Sequence, residues 1–266
     1  MRLGLALAVA VVLVAVLGPL FATHPPDESI GTAFEAPSAA APLGTDDIGR
    51  DVLSRVLWGG RTVVWMSLAA TFLGVGVGVL VGLVAGYSRN FVDHLLMRPL
   101  EVVQGFPQIV LALLFVSLLG SHLPLIVGLV ALAWVPSVAR VTRGITLETV
   151  KKDFVEAAEV IALPRRRIVL SEILPNLTTP LMVEFGIRLT YSIIVIASIN
   201  YLGFGVQPPT ADWGLMINEN RPGLVLVPWP VVAPICLIAL FTIGVNLMAE
   251  GVARTMAGID RKADQQ

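Results

Sequence analysis

Apolar residues along the chain fall in long uninterrupted runs, and six of these can be drawn as membrane-crossing helices. The first is Leu3–Ala22 and the second Thr62–Tyr87. The run Val102–Ala139 holds no Asp, Glu, Lys or Arg and is too long for one crossing at about 1.5 Å rise per residue. The turn-forming "GSHLP" at Gly120–Pro124 divides it into spans three and four. Span five is Leu181–Gly203 and span six Val225–Ala249. Backbone N–H and C=O groups find no water in hydrocarbon, so each run is predicted helical and the fold class is all-α, a polytopic membrane protein. The first run is longer than a signal-peptide core and no A-x-A site follows it, so it reads as a retained span.

Between spans four and five the pattern changes. "KKDFVEAAEVIALPRRRIVLSEILPN" (Lys151–Asn176) carries five basic and four acidic side chains in 26 residues. Val150, Phe154, Ala158 and Ile161 recur at helical spacing, which predicts an amphipathic helix with these four on its apolar stripe. Lys151, Lys152, Glu156 and Glu159 fall largely off it. Leu163-Pro164 breaks the helix, and a second helix starts at Arg165, Arg166 and Arg167 and ends near "ILPN". The segment, about 148–176, is therefore a helix–turn–helix that does not cross the membrane. The small side chains of Ala157 and Ala158 would let a partner pack close, and Glu156 could make a charge-assisted bond to it. Spacing alone equally allows the pair to rest on lipid headgroups.

Composition agrees with a bilayer protein: 56% hydrophobic, 14% charged and mean hydropathy +0.83, against about 25% charged in soluble domains. Where the charge sits says more than its sum. With the N-terminus inside, Arg2, Arg89, Arg98, Arg140, Arg143, Lys151, Lys152, Arg165, Arg166, Arg167, Arg254, Arg261 and Lys262 are cytoplasmic, 13 of 18 basic residues. Arg50, Arg55, Arg61 and Arg221 fall outside, the first two among Asp46, Asp47 and Asp51, and Arg188 lies within span five. Both termini are thus expected in the cytoplasm. Cys236 lies in an apolar run, excludes an intrachain disulfide, and reads as a buried packing residue. Gly78, Gly82 and Gly86, four apart on span two, predict close helix packing within the subunit.

Intramembrane polar groups are costly and mark candidates for a solute path. Gln104 and Gln108 share a face of span three, Ser198 and Asn200 sit on span five, and Thr242, Asn246 and Glu250 stand four apart on span six. Interhelical hydrogen bonding is the competing role for each. Glu184 and Arg188 are spaced to neutralise one another. The outer loop "GFGVQPPTADWG" offers Gln207, Pro208, Pro209, Trp213 and Gly214, with Trp213 suited to the membrane–water interface. His24, His94 and His122 form no H-E-x-x-H, no metal site is expected, and no phosphate-cradling G-x-x-x-x-G-K-[ST] occurs.

The charged segment resembles the cytoplasmic signature of permease subunits of binding-protein-dependent ABC importers: "EAA", three residues, a glycine, then "LP" farther on. Here it reads "EAAEVIALPRRRIVLSEILP", with Ala162 where the family has glycine. Such a position serves an unusual backbone turn, so Ala162 implies either an ordinary right-handed conformation or strain. "APLGTDDIGRDVLSRVLWGGR" (Ala41–Arg61), "EVVQGFPQIVLAL" (Glu101–Leu113) and "INYLGFGVQPPTADWGLMINENR" (Ile199–Arg221) resemble the dipeptide/oligopeptide/nickel branch, in matching order, and the short first span resembles its C-type subunit.

The resemblance implies a type I importer permease: residues 1–61 as first span plus outer amphipathic segment, then a five-helix core over 62–266 with the coupling segment at about 148–176 and the outer loop at about 204–224. It implies a homologous permease partner, most simply in a heterodimer, two ATPase subunits carrying ATP and Mg²⁺, an extracytoplasmic solute-binding protein, membrane lipids, and no nucleic acid. Phe154, Glu156, Ala157, Ala158, Ala162, Leu163 and Pro164 would dock on the ATPase, and the chain itself would bind no cofactor and catalyse nothing. Half of a path for peptides or a related solute such as a nickel chelate is the implied function. A secondary transporter is the alternative, but no clear internal repeat supports it.

Overall fold

The computed structural model describes residues 2–88 and 91–263, with side chains as far as Thr255, so Arg89 and the side chains of Arg261 and Lys262 lie outside what is described. Among the described residues there is no strand, and the helices are α1 (Arg2–Leu17), α2 (Val52–Ser88), α3 (Phe91–Gln104), α4 (Gln108–Leu119), α5 (Leu123–Thr149), α6 (Asp153–Val160), α7 (Arg165–Tyr201), α8 (Trp213–Asn220) and α9 (Trp229–Ala263). Five are long and apolar enough to cross a membrane, and α3 with α4 passes the same test only as a pair, bent by 85°.

Small residues let the long helices meet. A Cβ on Gly82 would come within 2.5 Å of the Ala139 carbonyl, and Gly74, Gly78 and Gly86 are pressed as closely against α5. Gly4 and Gly244 do the same between α1 and α9. In lipid such contacts gain dispersion and cost no desolvation. The expectation for Gly78, Gly82 and Gly86 therefore holds as packing inside one subunit.

The helices are longer than the apolar runs suggest. α2 begins ten residues before Thr62, because Asp51 caps it: its Oδ2 accepts from the Ser54 N–H at 2.9 Å and from the Ser54 hydroxyl at 2.6 Å. The division at 61/62 thus falls inside a helix. α5 continues past Ala139 to Thr149. Span three begins before Val102 and includes Arg98 and Glu101, since α3 carries its charges on one face; Arg143 donates to both carboxylate oxygens of Asp93 at 2.5 Å. Gly105, Phe106 and Pro107 then break it, because Pro107 has no N–H and disfavours a helical Phe106. Span six starts at Trp229, with Val225–Val227 a loop. Cys236 is exposed on α9 rather than buried, so packing within this chain does not account for it.

Span five departs most. The second arm of the charged segment does not stop near "ILPN"; it runs on as one helix, Arg165–Tyr201. Pro175 cannot donate a backbone bond, and the Ile168–Ile173 stretch winds as a π-helix just before it. The wider turn accommodates the missing donor without ending the helix.

Candidate functional site

Helix α6 is a short bar between α5 and α7. Val150 closes α5 by donating to the Thr146 carbonyl at 2.9 Å, and Lys152, in extended conformation, begins α6. That turn resets the helical phase. As a result the predicted stripe of Val150, Phe154, Ala158 and Ile161 is corrected: Val155 and Ala158 are the buried pair, packed with Leu83, Ile168, Ile173 and Leu177, while Phe154 is 37% and Ile161 69% exposed. Asp153 and Glu156 lie in the first turn, where the helix dipole favours acids. Tyr87 at the foot of α2 donates its hydroxyl to Glu159 at 3.1 Å.

The end of α6 is a Schellman motif. Ala162 N–H donates to the Glu159 carbonyl at 2.9 Å and Leu163 N–H to that of Ala158 at 3.1 Å, with Ala162 left-handed at φ +58°. Of the two readings of Ala162, strain is the one realised: an L-residue here costs about 1–2 kcal/mol, which glycine avoids. Pro164 then opens α7. Ala162→Gly should stabilise the turn by about 1 kcal/mol, read as slower amide exchange across residues 159–163 with transport unchanged.

Glu156, Ala157, Val160, Ile161, Ala162 and Pro164 are all exposed, and Leu163 is half-buried against the α2 foot. Among the described residues the Glu156 side chain makes no hydrogen bond or ion pair. The surface thus presents exposed apolar side chains beside two carboxylates without a side-chain partner, Asp153 and Glu156. Val160, 78% exposed, was not singled out by the sequence, because its position outside the stripe depends on where the helix restarts.

The intramembrane polar residues divide. Gln104 and Gln108 do not share a helix face, since the chain breaks between them; Gln104 accepts from Arg140 at 2.5 Å and Gln108 donates to the Ala133 carbonyl at 3.5 Å. Asn200 is fully buried and its Oδ1 accepts from the Val206 N–H at 3.2 Å, so it holds the outer loop. Ser198 back-bonds to Ile194 at 2.7 Å. On α9, Asn246 is exposed, Thr242 half-buried, and Glu250 is bonded by Arg254 at 2.5 Å. Glu184 and Arg188 pair as expected, Nε to Oε1 at 2.7 Å, with the guanidinium also over the Trp134 ring.

Outside the spans, the loop before α2 and helix α8 are joined by buried charge. Arg55, fully buried, donates to Asp46 at 2.7 Å and to Glu219 at 3.0 Å, and Arg50 donates to Asp46 at 2.6 Å, Asp47 at 3.0 Å and Glu219 at 3.3 Å. Burial pushes Glu219 up to about 7, opposed by Arg50 and reinforced by Asp47 and Asp46. Asp212, which caps α8 through the Gly214 and Leu215 N–H groups, is raised by burial to about 6 against those same bonds and the Asn200 amide. Trp213 corrects an expectation. It is fully buried, donates to the Val56 carbonyl at 2.8 Å, and fills the space left by Gly59 and Gly60. Gly214 is likewise buried, and a Cβ there would come within 2.5 Å of the Ala197 carbonyl. Only Gln207, Pro208 and Pro209 of the named loop residues face outward.

Comparison with known proteins matches this arrangement. Residues 78–258 match the family described as the binding-protein-dependent transport system inner membrane component. A Brucella suis biovar 1 protein provisionally named a peptide transport system permease is 34% identical over 252 residues, covering 94% of this chain and 85% of that one. Glutathione transport system permease protein GsiD of Pectobacterium atrosepticum is 36% identical over 82% of this chain and 72% of its own, and that of Escherichia coli O6:K15:H31 39% over 81% and 71%. An inward-facing structure of the MetNI methionine ABC transporter has the same fold, with TM-score 0.58 over 76% of this chain and 95% of that one at 14% identity. Such permeases lack an ATPase site and work with separate ATPase and solute-binding subunits, which removes the ground for a secondary transporter. A bundle of five spanning helices and one bent helix pair, with a charged turn between α5 and α7, is thus a membrane-embedded permease subunit of an ABC importer, and the chain belongs to the binding-protein-dependent transport system inner membrane component family.

Proposed function

We propose that this chain is one of two homologous but non-identical permeases that together enclose a path for short peptides. A related small solute such as a nickel chelate is the alternative. Both termini and α6 lie in the cytoplasm, where Phe154, Glu156, Ala157, Ala162, Leu163 and Pro164 form the ATPase contact, while Ala158, expected in that contact, is buried and packs inward beneath it, ATP and Mg²⁺ being held by the ATPase subunits. The observation that carries this is α6 itself: exposed apolar side chains beside the unpaired carboxylates of Asp153 and Glu156, on a bar that leads directly into a membrane span. Exposed Gln207, Pro208 and Pro209 supply the outer contact for the binding protein.

The break at Gly105–Pro107 supports a path beside α4. Non-helical backbone within membrane depth is tolerated where it lines a watered cavity or is buried in protein, and Gln104 and Gln108 flank this break. The names of the peptide and glutathione permease relatives support the solute class. The complete complex in proteoliposomes should show ATP-dependent uptake of a labelled tripeptide that unlabelled di- and tripeptides compete away. Uptake of a nickel chelate with no peptide competition would overturn the solute assignment.

A further inference from the structure

A groove of ≈ 990 Å³ opens between α1, α2, α7 and α9. Its wall includes Leu5, Val12, Phe72, Phe185, Val245 and Val252. Thr178 is the sole hydroxyl or amide side chain on that wall, and it already donates to the Pro175 carbonyl at 2.8 Å. A peptide-like solute needs convergent polar groups to hold it, and this groove has none to give. It is not the solute path.

The groove runs from the middle of the bundle toward one end, the end at which α1 and α7 begin and α2 and α9 finish. That is the end which carries Arg2, Arg254 and the Arg165–Arg167 run, all exposed. Arg254 is paired with Glu250, whereas Arg2, Arg165, Arg166 and Arg167 enter no ion pair among the described residues. An apolar slot with unpaired guanidiniums beyond its mouth has the polarity of an anionic phospholipid. Acyl chains fit the slot and the phosphate meets the arginines.

Gly76 marks the floor of the groove. Its neighbours Gly74 and Gly78 are closed by α5, but a Cβ on Gly76 would meet nothing within 4 Å. The glycine is needed neither for a turn nor for a helix contact, and leaves space. We infer that the groove between α1, α2, α7 and α9 is a binding site for an anionic phospholipid, with its headgroup held by the unpaired arginines at the α1 and α7 N-termini.

Assigning this lipid to the inner leaflet rests on the cytoplasmic placement of the termini proposed above; binding itself does not. The test uses the complete complex in nanodiscs of equal phosphatidylglycerol and phosphatidylethanolamine, followed by native mass spectrometry. Phosphatidylglycerol should remain bound in excess, and Gly76→Leu should reduce retained lipid at least tenfold with no loss of thermal stability. Arg2→Gln and Arg165→Gln should each lower the phosphatidylglycerol preference about fivefold while leaving the slot open. Unchanged lipid retention in Gly76→Leu would overturn the site, as would a cross-link from Gly76→Cys to the second permease, which would show a protein helix there. Accessibility labelling of a cysteine at position 2 decides the leaflet separately.

Discussion

Glu156→Lys should assemble in the membrane normally and abolish most transport. The side chain is exposed and unpaired in the subunit, so within the fold the change alters only the first-turn dipole interaction of α6, about 0.3–1 kcal/mol. In the proposed complex it faces a basic group of the ATPase. A hydrogen bond to a charged partner is worth about 1.5–3 kcal/mol, and reversing its sign adds repulsion. That is a loss of at least tenfold in ATP-driven uptake by proteoliposomes, with solute-stimulated hydrolysis falling alongside it. Glu156→Gln should be milder, because the amide still accepts. Full solute-stimulated ATPase and uptake in the lysine variant would remove Glu156 from the contact.

Arg55→Ala should do its damage without touching the ATPase face. Arg55 is fully buried and bridges Asp46 to Glu219, so its loss leaves two carboxylates facing each other with only Arg50 between them. Removing one partner of a buried ionic cluster costs about 3–5 kcal/mol. The purified subunit or complex should unfold at a clearly lower temperature, and Arg55→Ala with Glu219→Gln should cost less than the sum of the two changes. Additive losses would mean that the two groups do not act together. Mild acid acts through the same cluster in the opposite direction on the wild type. Glu219 titrates near 7 in the fold against 4.5 when free, so the native state holds its proton longer than the unfolded chain. The stability from this group is complete below about 4.5 and declines as the pH rises toward 7.

The spans were legible because hydrocarbon admits no charge, and a run without Asp, Glu, Lys or Arg states that constraint directly. Their true ends were not. Helices α2, α5 and α7 pass beyond the apolar runs into places where buried pairs and neighbouring protein satisfy them, as Asp51 does for α2. Local phase was also hidden. A three-residue turn at Val150–Lys152 rotated the stripe of α6, and nothing in the spacing of Val150 and Phe154 betrays it. Pro175 pointed to a helix end that a π-turn bypasses. Arg50 and Arg55 looked like exceptions to a topology rule that counts charges; they are buried and matched by acids. The alternation of acid and base from Asp46 to Arg55 was the available signal. Ala162 was the most informative single position, since its departure from glycine pointed to a left-handed residue that the fold does contain.

Helix α7 has a mechanical consequence. It starts beside the Ala162 turn and ends at Asn200 and Tyr201, and Asn200 holds the outer loop through Val206. Its 37 residues make a beam of about 55 Å at 1.5 Å per residue. A tilt of about 5° displaces one end by about 5 Å relative to the other along that length. The two faces of the membrane are thereby geared to each other by a single backbone, and the π-turn at Ile168–Ile173 is where such a beam can give by part of a turn before the load reaches the bilayer.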